Sequence, residues 1–120
     1  MSLKIRLPRY ETPRLKWRKL IYANLIEAVG KRKILYSKHD RLQLDIVLYF
    51  KNPAITFHDV DNRLKDIMDA LQGRIGGSKK IRKYKPIVPN DSQIYRVVVE
   101  KKISPKQGHE MGHLVIKKYP

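Results

Sequence analysis

Two aspartates one residue apart, Asp59 and Asp61, followed four positions on by Lys65, are the residues whose types and spacing best suit chemistry. In extended chain entering a helix, residues i and i+2 point to the same side, so the two carboxylates share one small volume and repel each other. A divalent cation relieves that repulsion, and a lysine one helical turn on can neutralise charge building up on a phosphate. Oxygen-only ligation in a chain with no cysteine favours a hard ion, Mg²⁺ or Mn²⁺, over structural zinc. The plainer reading is an N-cap followed by an ordinary surface pair, Asp61–Lys65, contributing roughly 0.3–0.5 kcal/mol.

The element that must position these groups is a helix over 61–72. Val60, Leu64, Ile67 and Leu71 repeat at helical spacing, and Gly73 and Gly76-Gly77 end the pattern. At about 100° per residue, Asp61 and Lys65 share one shoulder of that stripe, while Asn62, Asp66 and Asp69 point toward water. Upstream, Leu3 to Leu7 alternates apolar and polar residues and predicts a strand. A helix follows from Thr12-Pro13, with Trp17, Leu20, Ile21, Asn24, Leu25 and Ala28 in register and Gly30 as its stop. Leu42 to Phe50 alternates over nine residues and predicts a second strand. Asn90-Asp91-Ser92 forms a turn before a strand from Ile94 to Lys102, and a last strand runs from Leu114 to Tyr119, paired with it as a long hairpin. The order β-α-β-α-β-β predicts one α+β domain over 1–120, a mixed sheet packed against two helices.

Charge bounds the partner. The 120 residues carry 27 Lys and Arg against 11 Asp and Glu, a formal charge of +16. Four of the eleven acids fall between Asp59 and Asp69, so the carboxylates gather where something has to be held. Such an excess of positive charge attracts phosphate backbones and releases their counterions, which makes nucleic acid the leading partner. Arg14, Lys16, Arg18 and Lys19 crowd the first turns of the first helix, where cations oppose the helix dipole; contact with backbone phosphate is one purpose for them, a solvated face the other. Lys79, Lys80, Arg82, Lys83 and Lys85 surround Tyr84 in a basic loop over 74–88, expected to be flexible without its partner. No disulfide framework is possible, no apolar run is long enough to span a membrane, and a soluble, cytoplasmic protein without a membrane partner is expected.

Other motifs carry less. His109-Glu110-Met111-Gly112-His113 matches the H-E-x-x-H zinc-protease pattern, but Gly108, Gly112 and Pro105 argue against the helix that chemistry requires. Asp91 with Glu100 and Lys102 has the D…E-x-K order of some metal-dependent nucleases, yet it leaves Asp59 and Asp61 unexplained. His39 and His58 are single histidines, although His58 borders Asp59 and could contact a phosphate.

Taken together, Asp59-Val60-Asp61-Asn62-Arg63-Leu64-Lys65, Asp69-Ala70-Leu71 and Asn90-Asp91-Ser92-Gln93-Ile94 resemble the RusA family of Holliday junction resolvases, with its D-x-D-N-x-x-K run, its D-A-L helix end and its downstream D-x-Q-[IV]. The resemblance covers most of the chain. It implies a homodimer that binds four-way DNA junctions and nicks two opposed strands in recombination and repair. It also implies Mg²⁺ or Mn²⁺ held by Asp59, Asp61 and Asp91, with Lys65 as the catalytic lysine and Asn62 fixing the helix start or a carboxylate. Asn90 stands where the family often has a first acid. The alternative from a different class is a basic nucleic-acid-binding protein without catalysis.

Overall fold

Strict alternation gives the first strand, β1 (Ser2–Leu7), which buries Leu3, Ile5 and Leu7 and exposes Ser2, Lys4 and Arg6. It belongs to an α+β fold in which a computed structural model describes residues 2–32, 36–51, 56, 60–75, 85–104 and 112–120. Helix α1 (Arg14–Arg32) lays Trp17, Ile21 and Leu25 into the core, and β2 (Leu42–Phe50) adds Leu42, Leu44, Ile46, Leu48 and Phe50. Helix α2 (Val60–Leu71) adds Ile67, Ala70 and Leu71. A three-residue 3₁₀ turn (Asp91–Gln93) leads into β3 (Ile94–Ile103), and β4 (Gly112–Lys118) follows. The element order is the one the periodicities predict, and each boundary falls within about two residues of expectation.

The two helices end differently, and glycine conformation is the reason. Gly30 does not stop α1, which runs on to Arg32. A glycine ends a helix when it turns left-handed and lets the next amides bond back. Gly73 does this, with φ 74°. Its amide donates to the Ala70 carbonyl at 3.0 Å, and the Arg74 amide donates to the Asp69 carbonyl at 2.8 Å. That paired pattern closes α2. The Leu71 carbonyl then accepts from Ile87 and Val88 at 2.8 and 3.0 Å, tying the chain after 85 to the helix end.

The sheet corrects one expectation. The strand order is β1-β4-β2-β3, so β3 and β4 do not pair as a hairpin. β4 lies antiparallel between β1 and β2, whereas β3 pairs parallel with β2 at the edge. Burial explains the choice: Leu114 and Ile116 are fully buried, which demands a central strand, while β3 carries Arg96, Glu100, Lys101 and Lys102 and suits an edge. The parallel β2–β3 pair needs a crossover, which the segment containing α2 supplies.

Both helices share their core with the leucine and isoleucine face of the sheet. On the opposite face the register sets cross-strand rows. One row runs Arg6, His113, Val47 and Glu100, and the next runs Lys4, Val115, Asp45 and Val98. A register shift between Leu42 and Gln43 leaves Tyr95 outside the ladder. Tyr95 is exposed beside Tyr119 and the Arg41 guanidinium.

Candidate metal and nucleic-acid site

Helix α2 carries the D-x-x-x-K part of the motif in its first turns. Asp61, Asn62 and Lys65 are all exposed, and Asp61 stands at the end where the positive helix dipole favours a carboxylate. Asp59 and His58, just before the helix, lie outside the described residues.

What fixes α2 is a carboxylate expected to face water. Asp66 is completely buried. Arg14 donates from Nε to both Asp66 oxygens at 3.1 Å and places Nη2 3.1 Å from Oδ1. Arg18 donates from Nε to Oδ1 at 2.9 Å and reaches Asp69 with Nη2 at 3.2 Å. Arg63 Nη2 stands 3.9 Å from Asp66 Oδ2. The hydrogen bond that Arg14 donates to Asp66 leads the causes that hold its guanidinium above its ordinary pKa, against a smaller cost of burial. The helical wheel placed Asp66 outward because it considered α2 alone; α1 packs against that side and brings the countercharges with it. The cations in the first turns of α1 that oppose its own dipole therefore have a partner inside the protein. Arg14 and Arg18 grip α2, while Lys16 and Lys19 remain exposed, Lys16 paired with Glu11 at 3.0 Å.

Arg63 is the second residue the periodicity did not single out. It is 6% exposed, and its guanidinium carbon lies 3.9 Å from the centre of the Tyr10 ring and 5.8 Å from that of Trp17. Among the described residues Nε and Nη1 have no hydrogen-bond partner, so the ring face stands in for one, a cation–π contact in a desolvated setting. Trp17 is itself anchored by Nε1 donating to the Pro8 carbonyl at 2.9 Å. A signal for this cluster does exist in the chain: Arg14 and Arg18 are one turn apart on one helix, and Asp66 and Asp69 are one turn apart on the other.

Asp91 belongs to a different construction. Asn90 caps the 3₁₀ turn by accepting from the Ser92 amide at 2.9 Å, and the Asn90 amide donates to Gln93 Oε1 at 2.9 Å. Gln93 is 5% exposed. Its Nε2 donates to the Ser37 and Asp40 carbonyls at 2.9 and 2.8 Å. The glutamine of the motif is therefore a clamp that pins this turn to the 37–40 segment. Asp91 stays exposed and lines a pocket of about 200 Å³ with Gln72, Arg74, Pro86, Pro89 and Asn90.

That pocket sits at the C-terminal end of α2. Asp61 lies ten residues earlier, about 15 Å along the axis at about 1.5 Å per residue. Among the described residues, no three His, Asp or Glu side chains gather to hold a metal ion. Asp61 and Asp91 are each hard oxygen donors of the kind Mg²⁺ and Mn²⁺ take, but at this separation they do not serve one ion within the chain. Glu100 and Lys102, 3.9 Å apart, sit on β3 six or more residues beyond Ile94, roughly 20 Å from its start; they do not join Asp91. His113 lies on a strand with its ring 5.6 Å from that of Tyr49, so the helix an H-E-x-x-H zinc site needs is not formed there. His109 and Glu110 lie outside the described residues, as do Lys79, Lys80, Arg82 and Lys83. Lys85 is exposed, and its carbonyl accepts from the Tyr22 hydroxyl at 2.6 Å.

No protein-family model matches the chain, and no curated protein matches it. Among the described residues, no helix is long and apolar enough to cross a membrane.

Proposed function

We propose that the protein is a metal-dependent endodeoxyribonuclease selective for branched DNA, which as a homodimer resolves four-way junctions by nicking opposed strands. The observation that carries this reading is the fixed orientation of α2. With Asp66 clamped inward by Arg14 and Arg18, Asp61, Asn62 and Lys65 are left exposed together on its first turns. That trio is three of the four fixed positions in the D-x-D-N-x-x-K run by which the chain resembles the RusA resolvases.

In this reading Asp61 holds Mg²⁺ or Mn²⁺ together with Asp59, while Asp91, at the opposite end of α2, does not share that ion within one protomer. The ion, when bound, activates water and neutralises phosphate. Lys65, one turn from Asp61, faces the negative charge that develops on the phosphate during attack. Asn62 steadies the helix start through its backbone, since its carbonyl accepts from Arg14 Nη2 at 3.4 Å. The +16 charge supplies affinity for the DNA backbone without reading sequence.

The test is cleavage of a labelled synthetic four-way junction beside a linear duplex, with Mg²⁺, Mn²⁺ or EDTA, using wild type and Asp61→Asn. Paired symmetric nicks that need metal and vanish in the variant support the enzyme and its site together. A non-catalytic nucleic-acid-binding protein is the second reading, favoured by the placement of Asp61 and Asp91 at opposite ends of α2. Tight junction binding with no nicks in either protein establishes that reading instead.

A further inference from the structure

The sheet face turned away from both helices is richer in cations than its pairing requires. Its two carboxylates each have a lysine: Lys117 Nζ lies 2.9 Å from Asp45, and Lys102 Nζ lies 3.9 Å from Glu100. Lys4 and Arg6 at the β1 margin and Arg96 at the β3 margin are exposed. None of these three makes an ion pair with a described residue, so the face keeps a surplus of three positive charges. Arg96 stands close enough to Asp45 to help lower the pKa of its carboxyl, which places it over this face. The margins are three strand spacings apart, about 14 Å. Between them lies an aromatic pair, Tyr49 and His113, with rings 5.6 Å apart and nearly perpendicular. Both rings are half-buried on a surface otherwise floored by valines.

Cations at two margins with aromatic rings between them suit one ligand chemistry, a single nucleic-acid strand. Its phosphates follow the guanidinium and ammonium groups, and its bases come down on the rings, a combination that binds without sequence preference. A duplex keeps its bases stacked inside and gains nothing from the rings. We propose that this open face of the sheet is a binding platform for single-stranded DNA, separate from the Asp61–Lys65 shoulder. It rests on the nucleic-acid reading above, to which it adds a place for an unpaired strand at a branch.

The experiment uses the full chain carrying Asp61→Asn, in EDTA, so that cleavage does not interfere. Binding of a fluorescent twelve-nucleotide oligothymidylate is followed by anisotropy over a salt series, with an unlabelled twelve-base-pair duplex as competitor. Loss of three phosphate contacts lowers the slope of log affinity against log salt by about 2. That is the result expected when Lys4→Gln, Arg6→Gln and Arg96→Gln are combined. Tyr49→Leu, which keeps apolar bulk, is expected to weaken binding of the strand at least about fivefold. Methyl resonances of Val47, Val98 and Val115 should shift on titration while those of Leu44, Ile46 and Ile116 stay in place. An unchanged slope in the triple variant, shifts confined to the helices, or a duplex that competes as well as the strand each overturn the platform. Junction cleavage without these charge changes is scored separately. A protein that cleaves but shows an unchanged slope loses the platform and keeps the nuclease. One that never cleaves yet loses the slope keeps the platform and loses the nuclease.

Discussion

Arg18 Nε and Asp66 Oδ1 meet at 2.9 Å across the junction of the two helices, with Asp66 wholly buried and Arg18 21% exposed. The same arginine extends to Asp69 at 3.2 Å, so one side chain bridges two carboxylates one turn apart on α2. Removing the carboxylate leaves the guanidiniums of Arg14, Arg18 and Arg63 facing a vacated interior. Asp66→Ala should therefore cost about 3–5 kcal/mol, the range for breaking a buried pair from one side. Urea unfolding measures this directly. A loss below about 1 kcal/mol would mean that Arg14 and Arg18 simply turn to water, and the clamp would not be what orients α2.

Lys65 is exposed on α2, and replacing it should leave the fold intact. Lys65→Ala is expected to lower junction cleavage by roughly 10²–10³-fold, as for loss of one group that stabilises transition-state charge. Thermal unfolding and the metal concentration for half-maximal cleavage should stay unchanged. A variant that cleaves normally removes Lys65 from the site.

Tyr36 gives the fold an alkaline limit. Burial is the main cause that pushes its hydroxyl up to about 12, and the hydroxyl donates to the Ile116 carbonyl at 3.1 Å. The unfolded chain releases this proton near pH 10 while the folded chain still holds it. The stability tied to the protonated form is therefore complete below about pH 10 and drains away as pH rises toward 12. Comparing wild type with Tyr36→Phe isolates this group, since Phe has no proton to release. The phenylalanine variant should lack roughly 2 kcal/mol of the pH dependence in that window. Equal slopes in the two proteins would contradict it.

Asp45 acts at the other end of the scale. A hydrogen bond from Gln43 Nε2 at 3.0 Å, followed by its bond to Lys117, holds its carboxyl below the ordinary carboxylate range. Asp40 is lowered too, chiefly by the Ser37 backbone amide. Both contribute stability that is present above the unfolded carboxylate pKa, near 4, and lost as pH falls through their folded values. Acid unfolding of Asp45→Asn should show a shallower fall in stability below about pH 4 than wild type. An unaltered acid limb would discount the Gln43 and Lys117 contacts.

Gly112 opens β4 against Leu7 and Leu48. A Cβ there meets the Val47 carbonyl oxygen, a backbone atom that cannot swing aside, and then Leu7 Cδ1 at 3.2 Å. Gly112→Ala should destabilise by at least about 1–3 kcal/mol, the cost of overpacking a close-fitted site. Denaturant melts that show no loss would mean the two strands can part to admit the methyl group.

Elements whose residues alternate or repeat within themselves were legible in the chain. Leu42 to Phe50 states its strand and its buried face outright, and Val60, Leu64, Ile67 and Leu71 state their helix. What could not be read were relations between elements. Asp66 looks solvated on its own helix and becomes buried only because Arg14 and Arg18 arrive from 48 to 52 residues away. The last two strands are adjacent in order and look like a hairpin, but pairing depends on which strand can tolerate an edge, and that is settled by the whole sheet. Gln93 passes for a strand-leading polar residue until the carbonyls of Ser37 and Asp40 are beside it. Of the site, the Asp61–Lys65 spacing was readable as a helical turn, whereas the position of Asp91 depends on how the 85–90 segment docks on the Leu71 carbonyl.

The placement of β4 carries a consequence for how the molecule comes to be. Among the described residues β1 has no neighbour in the sheet except β4, and β2 and β1 face each other across the gap that β4 fills. A growing chain that has already made both helices and three strands still holds two ladders open around an empty slot. Closure waits for a strand more than a hundred residues downstream of its first partner. Long-range pairing of this kind is slow. Until it happens the half-built sheet offers its unpaired edges to any other extended chain nearby, so the same topology that seats Leu114 and Ile116 at the centre makes assembly of this fold the step most in need of an undisturbed surrounding.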